Sequence, residues 1–265
     1  MSELAGQIAL VTGAARGIGK AIATRLAADG AHVVLADIAA DAVRETASAI
    51  EAFGGKASAV HLDVTDADQI HAVVDELLRT LGKVDVLVSN AGSGKSNPFL
   101  ETTQADLASQ MALNFGAAFT CAQACAKPMR NAGYGRIVFI TSVTGLAGPV
   151  NLSVYGSMKA GQMGLMRAMA LELAAFGITA NAVAPGPIDT ELLRTAWPED
   201  MVAEAADRIP ARRIGKPEEV AHAVSFLVSP GAAFVNGVTL PVDGGFTAAG
   251  GYMAEIYRQR RNGQG

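Results

Sequence analysis

The chain has 265 residues, half of them apolar and 17% charged, and its 21 Lys and Arg face 25 Asp and Glu for a net charge of −4. The length fits one α/β domain with a sizeable core, and an acidic balance without a long basic run argues against nucleic acid as a partner. No apolar run approaches the ~18 residues needed to span a bilayer, and no basic, then apolar, leader opens the chain, so a cytoplasmic protein without a membrane partner is expected.

Gln7 to Val11 is short, apolar and β-branched, the pattern of a buried strand. The turn Thr12-Gly13-Ala14-Ala15-Arg16-Gly17-Ile18-Gly19 follows. Lys20 to Asp29 then continues a helix with Ile18, Ile22 and Leu26 at helical spacing and Gly30 as a stop. A strand that enters a glycine turn and opens a helix presents unpaired N–H groups and positive dipole character to a pyrophosphate. Glycines let the backbone approach where a Cβ would block it. The turn therefore reads as a dinucleotide site, with the spacing Gly-x3-Gly-x-Gly in place of the commoner Gly-x-Gly-x2-Gly.

Ala31 to Ala36 is a second strand ending at Asp37, placed either to bond adenosine ribose hydroxyls or to cap the helix of Asp41 to Phe53. Lys56 to Leu62 is a third strand, followed by Asp63-Val64; Thr65 or Asp66 caps a helix with Ile70, Val73, Leu77, Leu78 and Leu81 apolar and Gly82 closing it. Val84 to Ser89 is a fourth strand, leading into Asn90-Ala91-Gly92 and a polar loop from Ser93 to Thr102. Helical sequence from Thr103 to Arg130 is softly interrupted near Asn114-Phe115-Gly116. Strand Ile137 to Thr141 ends at Ser142, and Ser153 to Phe176 is a long Met/Ala/Leu helix. Ile178 to Ala184 is a sixth strand before Pro185-Gly186-Pro187, Ile188 to Gly215 reads as a less regular stretch, Pro217 starts a helix, and Val238 to Val242 is the last strand.

Alternating apolar strands and helices predict a single-domain, Rossmann-like, doubly wound parallel sheet of about seven strands with helices on both faces. The core spans about residues 4–245, and 246–265 form a C-terminal extension. Cys121 and Cys125 lie four apart on a predicted helix and read as small buried hydrophobes, while His32, His61, His71 and His222 are scattered. No metal site is expected.

Tyr155 and Lys159 sit one turn apart on the long helix, where the cation is expected to draw the phenol below its ordinary pKa of ~10. Ser142, at a strand end thirteen residues upstream, falls where open α/β sheets gather their active groups. This set resembles the short-chain dehydrogenase/reductase family, and the resemblance runs from about Leu4 to Gly245. It implies a cofactor turn at Gly13, Arg16, Gly17, Ile18 and Gly19, an adenine contact at Asp63-Val64, and the Asn90-Ala91-Gly92 motif, with Ser89 where the family usually has Asn. It further implies a stretch closing over the nicotinamide at Pro185, Gly186, Ile188 and Thr190. Ser142, Tyr155 and Lys159 match the catalytic serine, tyrosine and lysine, Lys159 also holding cofactor ribose, and Asn114 matches an asparagine that holds a water near the lysine.

The implied activity is NAD(H)-dependent hydride transfer between nicotinamide and a secondary alcohol or ketone. A 3-oxoacyl carrier-protein reductase is the alternative within the family, with Arg130, Arg208, Arg212 and Arg213 as candidates for a basic rim; an inactive nucleotide-binding scaffold is the alternative outside it. Asp37 favours NAD, whereas Arg16 is a base of the kind that accompanies NADP in the family. The pocket is expected to be apolar (Phe99, Val143, Leu146, Val150, Leu152, Leu192, Leu193, Trp197, Met201), with Ile188 to Ile209 as a lid. The low charged fraction and the family pattern imply a homotetramer. Tyr252, Met253, Ile256 and Tyr257 in the extension belong either to a docking segment or to a frayed tail.

Overall fold

The apolar run after Gln7 forms β1 (Ile8–Thr12), every residue of it buried. In the computed structural model, which describes residues 3–148 and 150–248, the glycine turn opens α1 (Gly17–Ala28). Then follow β2 (His32–Asp37), α2 (Ala40–Ala52), β3 (Lys56–His61), α3 (Ala67–Leu81) and β4 (Val86–Ser89). α4 (Gln104–Met111) and α5 (Ala117–Ala132) precede β5 (Gly135–Ile140), α6 (Ser153–Leu173) and β6 (Ile178–Pro185). The chain continues through α7 (Glu191–Ala196), α8 (Glu199–Arg208), α9 (Pro217–Val228) and β7 (Thr239–Val242).

The sheet is parallel throughout, in the order β3-β2-β1-β4-β5-β6-β7, so the chain reverses direction across the sheet between β1 and β4. Side chains alternate between the faces of a strand. Val11, Leu35 and Val88 join a core under α1, α2 and α9, while Leu10, Val34, Leu87 and Phe139 join a second core under α3, α5 and α6. Burial of each such Leu, Val or Phe contributes roughly 1.5–3 kcal/mol, which is why strands covered on both faces are apolar without alternation. Asp66, not Thr65, caps α3 by accepting from the amides of Asp68 and Gln69.

The structure gives definite form to two stretches of the sequence reading. The less regular residues 188–215 hold two short helices: Thr190 Oγ1 accepts from Leu193 N at 3.2 Å and starts α7, and α8 follows Pro198. A six-residue helix is too short to show a periodic face or to hold itself together without tertiary contacts. The soft interruption near Asn114 is a π-turn over Ala112–Gly116 that joins α4 to α5. Residues 249–265, which include Tyr252, Met253, Ile256 and Tyr257, lie outside the described residues.

Candidate active site

The C-terminal ends of β1 and β4 meet at the reversal of strand order, where a ligand of this fold binds. Thr12 Oγ1 accepts from the amides of Asn90 (3.0 Å) and Ala91 (3.1 Å), and Asn90 Nδ2 donates back to the carbonyls of Thr12 and Gly13 at 2.9 and 3.0 Å. These bonds lock the turn against the Asn90-Ala91-Gly92 segment. A Cβ added at Gly19 would lie 2.0 Å from Gly13 O, and Gly17 adopts φ +55°. α1 starts at an extended Arg16 with no capping side chain, so its first N–H groups are left for a ligand. The turn, the uncapped helix and the flanking carboxylate of Asp37 fit a dinucleotide.

The Asp37 carboxylate bonds the backbone on both sides of it. Oδ2 accepts from Ala15 N at 3.0 Å and Oδ1 from Ala39 N at 2.9 Å, which fixes the group at the end of β2 beside the turn. Arg16 turns toward Glu191 at the start of α7, with 3.7 Å between charges, and Thr190 packs beside Gly17. Asp63 Oδ1 takes both the hydroxyl and the amide of Thr65, bonds that hold its carboxyl below the usual range. The side chains of Val64 and Ile188 are buried in the two cores, leaving only their main chain for a cofactor. Pro185 closes β6, and Gly186 donates to Val242 O at 3.0 Å and packs on Asp243.

Ser142, Tyr155, Lys159 and Asn114 converge from β5, α6 and the π-turn. Ser142 starts a short 3₁₀ turn, its Oγ accepting from Thr144 N at 3.2 Å, and its hydroxyl pulls the pKa of the Tyr155 phenol downward. Lys159 Nζ donates to Ile140 O at 2.9 Å and lies 5.6 Å from the centre of the Tyr155 ring. Asn114 Nδ2 donates to Ser93 O at 2.9 Å, and its Oδ1 accepts from Ser93 N at 3.2 Å. A Cβ on Gly92 would reach within 2.6 Å of Asn114 Oδ1 and 3.4 Å of Lys159 Nζ, so that glycine lets the three groups close up.

The electrostatics correct the sequence reading of Tyr155. Burial pushes its pKa up, against the pull of Ser142, and Lys159 does not reverse the sign. The reason is desolvation on both sides: burial penalises the phenolate, and it also brings Lys159 down to about 8.

Sequence reasoning missed three neighbours. Gly94 packs flat on Tyr155, where an added Cβ would sit 3.3 Å from the ring. Gln110 Oε1 accepts from Asn114 Nδ2 at 3.0 Å, and Gln162 Nε2 donates to Asn114 O. Gln162 carried a readable signal, being a polar residue at i+7 from Tyr155 and i+3 from Lys159 in a Met/Ala helix. Of the side chains expected to line an apolar pocket, Phe99, Leu146, Val150, Leu192 and Met201 are exposed, whereas Val143 is buried. Both cysteines are free and buried, burial raising Cys121 to about 12, and among the described residues no group of three His, Cys, Asp or Glu could hold a metal.

The family model described as enoyl-(acyl carrier protein) reductase matches residues 13–247. The chain is 42% identical over 245 residues to a cis-4-hydroxycyclohexanecarboxylate dehydrogenase of Sinomonas cyclohexanicum, covering 92% of this chain and 98% of the relative. It is 41% identical over 250 residues to a 3-oxoacyl-acyl-carrier-protein reductase of Synechocystis, with coverage of 92% and 98%. The solved structure of a 7α-hydroxysteroid dehydrogenase complexed with NADH and 7-oxo glycochenodeoxycholic acid superposes with a TM-score of 0.89 at 39% identity, covering 92% and 95% of the two chains. Identity at this level over nine-tenths of the sequence, on the same sheet, makes the chain a member of the short-chain dehydrogenase/reductase family.

Proposed function

We propose that this chain is an NAD(H)-dependent oxidoreductase acting on secondary alcohols and ketones, with Tyr155 as its acid and base. The observation that carries the reading is the convergence of Ser142, Tyr155, Lys159 and Asn114, with Lys159 Nζ 5.6 Å from the Tyr155 ring and Gly92 packed between Asn114 and Lys159. A bound nicotinamide dinucleotide would supply or accept the hydride. Ser142 holds the substrate oxygen, and Tyr155 gives that oxygen a proton or takes one from it. Lys159, anchored on Ile140 O, keeps a cation under the phenol, and Asn114 braces the floor of the site against Ser93. Gly13, Gly17 and Gly19 give the pyrophosphate its backbone approach, and Asp37 takes the adenosine ribose. This intact set argues against an inactive scaffold.

The exposed apolar side chains expected at the pocket, Phe99, Leu146, Val150, Leu192 and Met201, favour medium-sized apolar substrates, because they reward apolar area and offer polyols no partners. Two of the similar proteins are named for hydroxylated ring compounds, which supports a cyclic secondary alcohol. The carrier-protein reading has a similar protein in its favour but a weak surface. Arg208, Arg212 and Arg213 are paired with Glu204, Asp207 and Glu219, and Arg130 lies over the Phe176 ring, so they make a poor basic rim for an acidic partner.

The reading includes a homotetramer, supported by the exposed Phe119, Leu171 and Phe176 on α5, α6 and the turn after it, and by Phe226, Phe234 and Val238 near β7. It places the enzyme in the cytoplasm, in keeping with two free cysteines and with no helix among the described residues long and apolar enough to cross a membrane. The test follows nicotinamide absorbance against a panel of alicyclic ketones, acyl thioesters and polyols, with Tyr155→Phe as control. Turnover of the alicyclic ketones should fall ~10²–10⁴-fold in the variant while cofactor binding survives. A variant that keeps most of its kcat overturns the role of Tyr155.

A further inference from the structure

Residues 90–98 follow β4 without forming helix or strand, so no ladder fixes them where they pass Tyr155. Three pins do so instead. Asn114 holds both main-chain groups of Ser93, its Oδ1 accepting from N at 3.2 Å and its Nδ2 donating to O at 2.9 Å. Lys95 Nζ meets Asp106 Oδ1 on α4 at 2.6 Å. Asn97 N donates to Asn151 O, just before α6, at 2.8 Å. Between the first two pins lies Gly94, where a Cβ would come within 3.3, 3.4 and 3.5 Å of Tyr155 Cγ, Cδ2 and Cδ1. The main chain of Gly94 therefore covers one side of the phenol ring.

The Lys95–Asp106 pair differs from a pair of free surface side chains. The Asp106 side chain is only 14% exposed, and its Oδ2 already accepts from Thr103 N at 3.0 Å and Thr103 Oγ1 at 2.7 Å, closing the capping box of α4. With one partner fixed before the pair forms, less side-chain entropy is lost in forming it. Lys95 and the amide and hydroxyl of Thr103 hold the Asp106 carboxyl far below the usual range, so the pair stays charged at any working pH. Lys95, Asp106, Asn151 and Ser153 line one small cleft, which places the pair where the segment, α4 and the start of α6 meet. The charges of Lys95 and Asp106 do not set the phenol's shift, which burial and Ser142 account for, so their influence on Tyr155 passes through Gly94.

We propose that Lys95 is a positioning residue for the reaction: its ion pair with Asp106 on α4 seats Gly94 against the Tyr155 ring, which keeps water from that side of the ring and sets the angle at which the phenol meets the substrate oxygen. This role rests on the oxidoreductase reading above. The groups facing the phenol are Lys159 from α6, Ser142 from the end of β5 and the main chain of Gly94, and a change at Lys95 leaves all three in the chain. What such a change alters is how firmly Gly94 is held.

The test is Lys95→Met, which keeps an apolar stem, removes the charge and leaves Asp106 its Thr103 cap. Single-turnover ketone reduction and alcohol oxidation are followed across a pH series, alongside KM for the ketone, binding of NADH and the melting temperature. The reduction rate should fall about three- to thirtyfold, short of the ~10²-fold that an ångström of misplacement can cost, with KM and NADH binding within about twofold of wild type. The alkaline fall of reduction and the alkaline rise of oxidation should both move about half to one pH unit lower, because water that reaches the ring stabilises the phenolate. Lys95→Arg, which keeps the ion pair, should restore both readouts. A folded Lys95→Met with the rate and pH profile of wild type overturns the proposal. So does a rise in KM alone, which would make Lys95 a substrate contact, and so does a loss that Lys95→Arg fails to restore. Should Lys95→Met not fold, Asp106→Asn, which keeps an acceptor for the cap, decides by the same rate and pH profile. A wild-type protein that turns over none of the panel defeats the functional reading; an active wild type with indifferent variants defeats this role alone.

Discussion

Cofactor choice turns on Asp37, and Asp37→Asn isolates its charge. The carboxylate is held at the end of β2 by the amides of Ala15 and Ala39, so it cannot swing away from an incoming adenosine ribose without breaking both bonds. A 2′-phosphate about 4 Å from it would meet a repulsion of ~1–4 kcal/mol between water-like and surface-like dielectric. Arg16 opposes this, but it is committed to Glu191 at 3.7 Å with both side chains about 70% exposed, and such a pair holds by only ~0–1 kcal/mol. Its swing toward a phosphate is therefore inexpensive, though too weakly directed to outweigh a fixed carboxylate. The wild-type protein should prefer NADH over NADPH by at least tenfold in kcat/KM, equivalent to ~1.4 kcal/mol. Asp37→Asn should remove most of that ratio, and adding Glu191→Gln should favour NADPH by a further few-fold by releasing Arg16. Steady-state kinetics with both cofactors at a fixed saturating ketone give the ratio. A wild type that uses NADPH as well as NADH, or an Asp37→Asn variant with the original ratio, refutes the reasoning.

The raised Tyr155 sets a pH dependence with a definite sign. Reduction needs the neutral phenol, so its kcat/KM should stay flat through neutrality and fall only at alkaline pH, while alcohol oxidation, which needs the phenolate, should climb toward alkaline pH; opposite slopes in a pH series would contradict the shift. Gly19→Ala forces a Cβ to within 2.0 Å of Gly13 O and should abolish cofactor binding, measured by nicotinamide fluorescence, and a variant that still binds NADH would show that the turn can relax. Light scattering at micromolar concentration should report a tetramer, and Leu171→Glu, on an exposed apolar face of α6, should lower the assembly state; a monomeric wild type would leave that face without its explanation.

Local sequence determined much of this molecule. Near-continuous apolar runs specify strands buried on both faces, the helical stripes between them specify the covering layers, and the glycine spacing specifies a turn into which a Cβ does not fit. Those are properties of neighbours in the chain, so Gly13, Gly17, Gly19, Asp37, Tyr155 and Lys159 could be read before any fold was known. The tertiary structure decided what depends on groups distant in sequence. It turned Arg16 to Glu191, 175 positions along the chain, and used Asp37 to pin the turn it faces. Within residues 188–215 it folded α7 and α8, the first started by the Thr190 side chain, the second anchored in the core by Val202 alone. It reversed the expected shift of Tyr155, because i, i+4 spacing gives the distance between two side chains but not their burial, and desolvation of the phenol outweighs the pull of Ser142. It also linked Gln162 on α6 to Asn114 in the π-turn, 48 residues away, a contact that exists only because two helices cross at the active site.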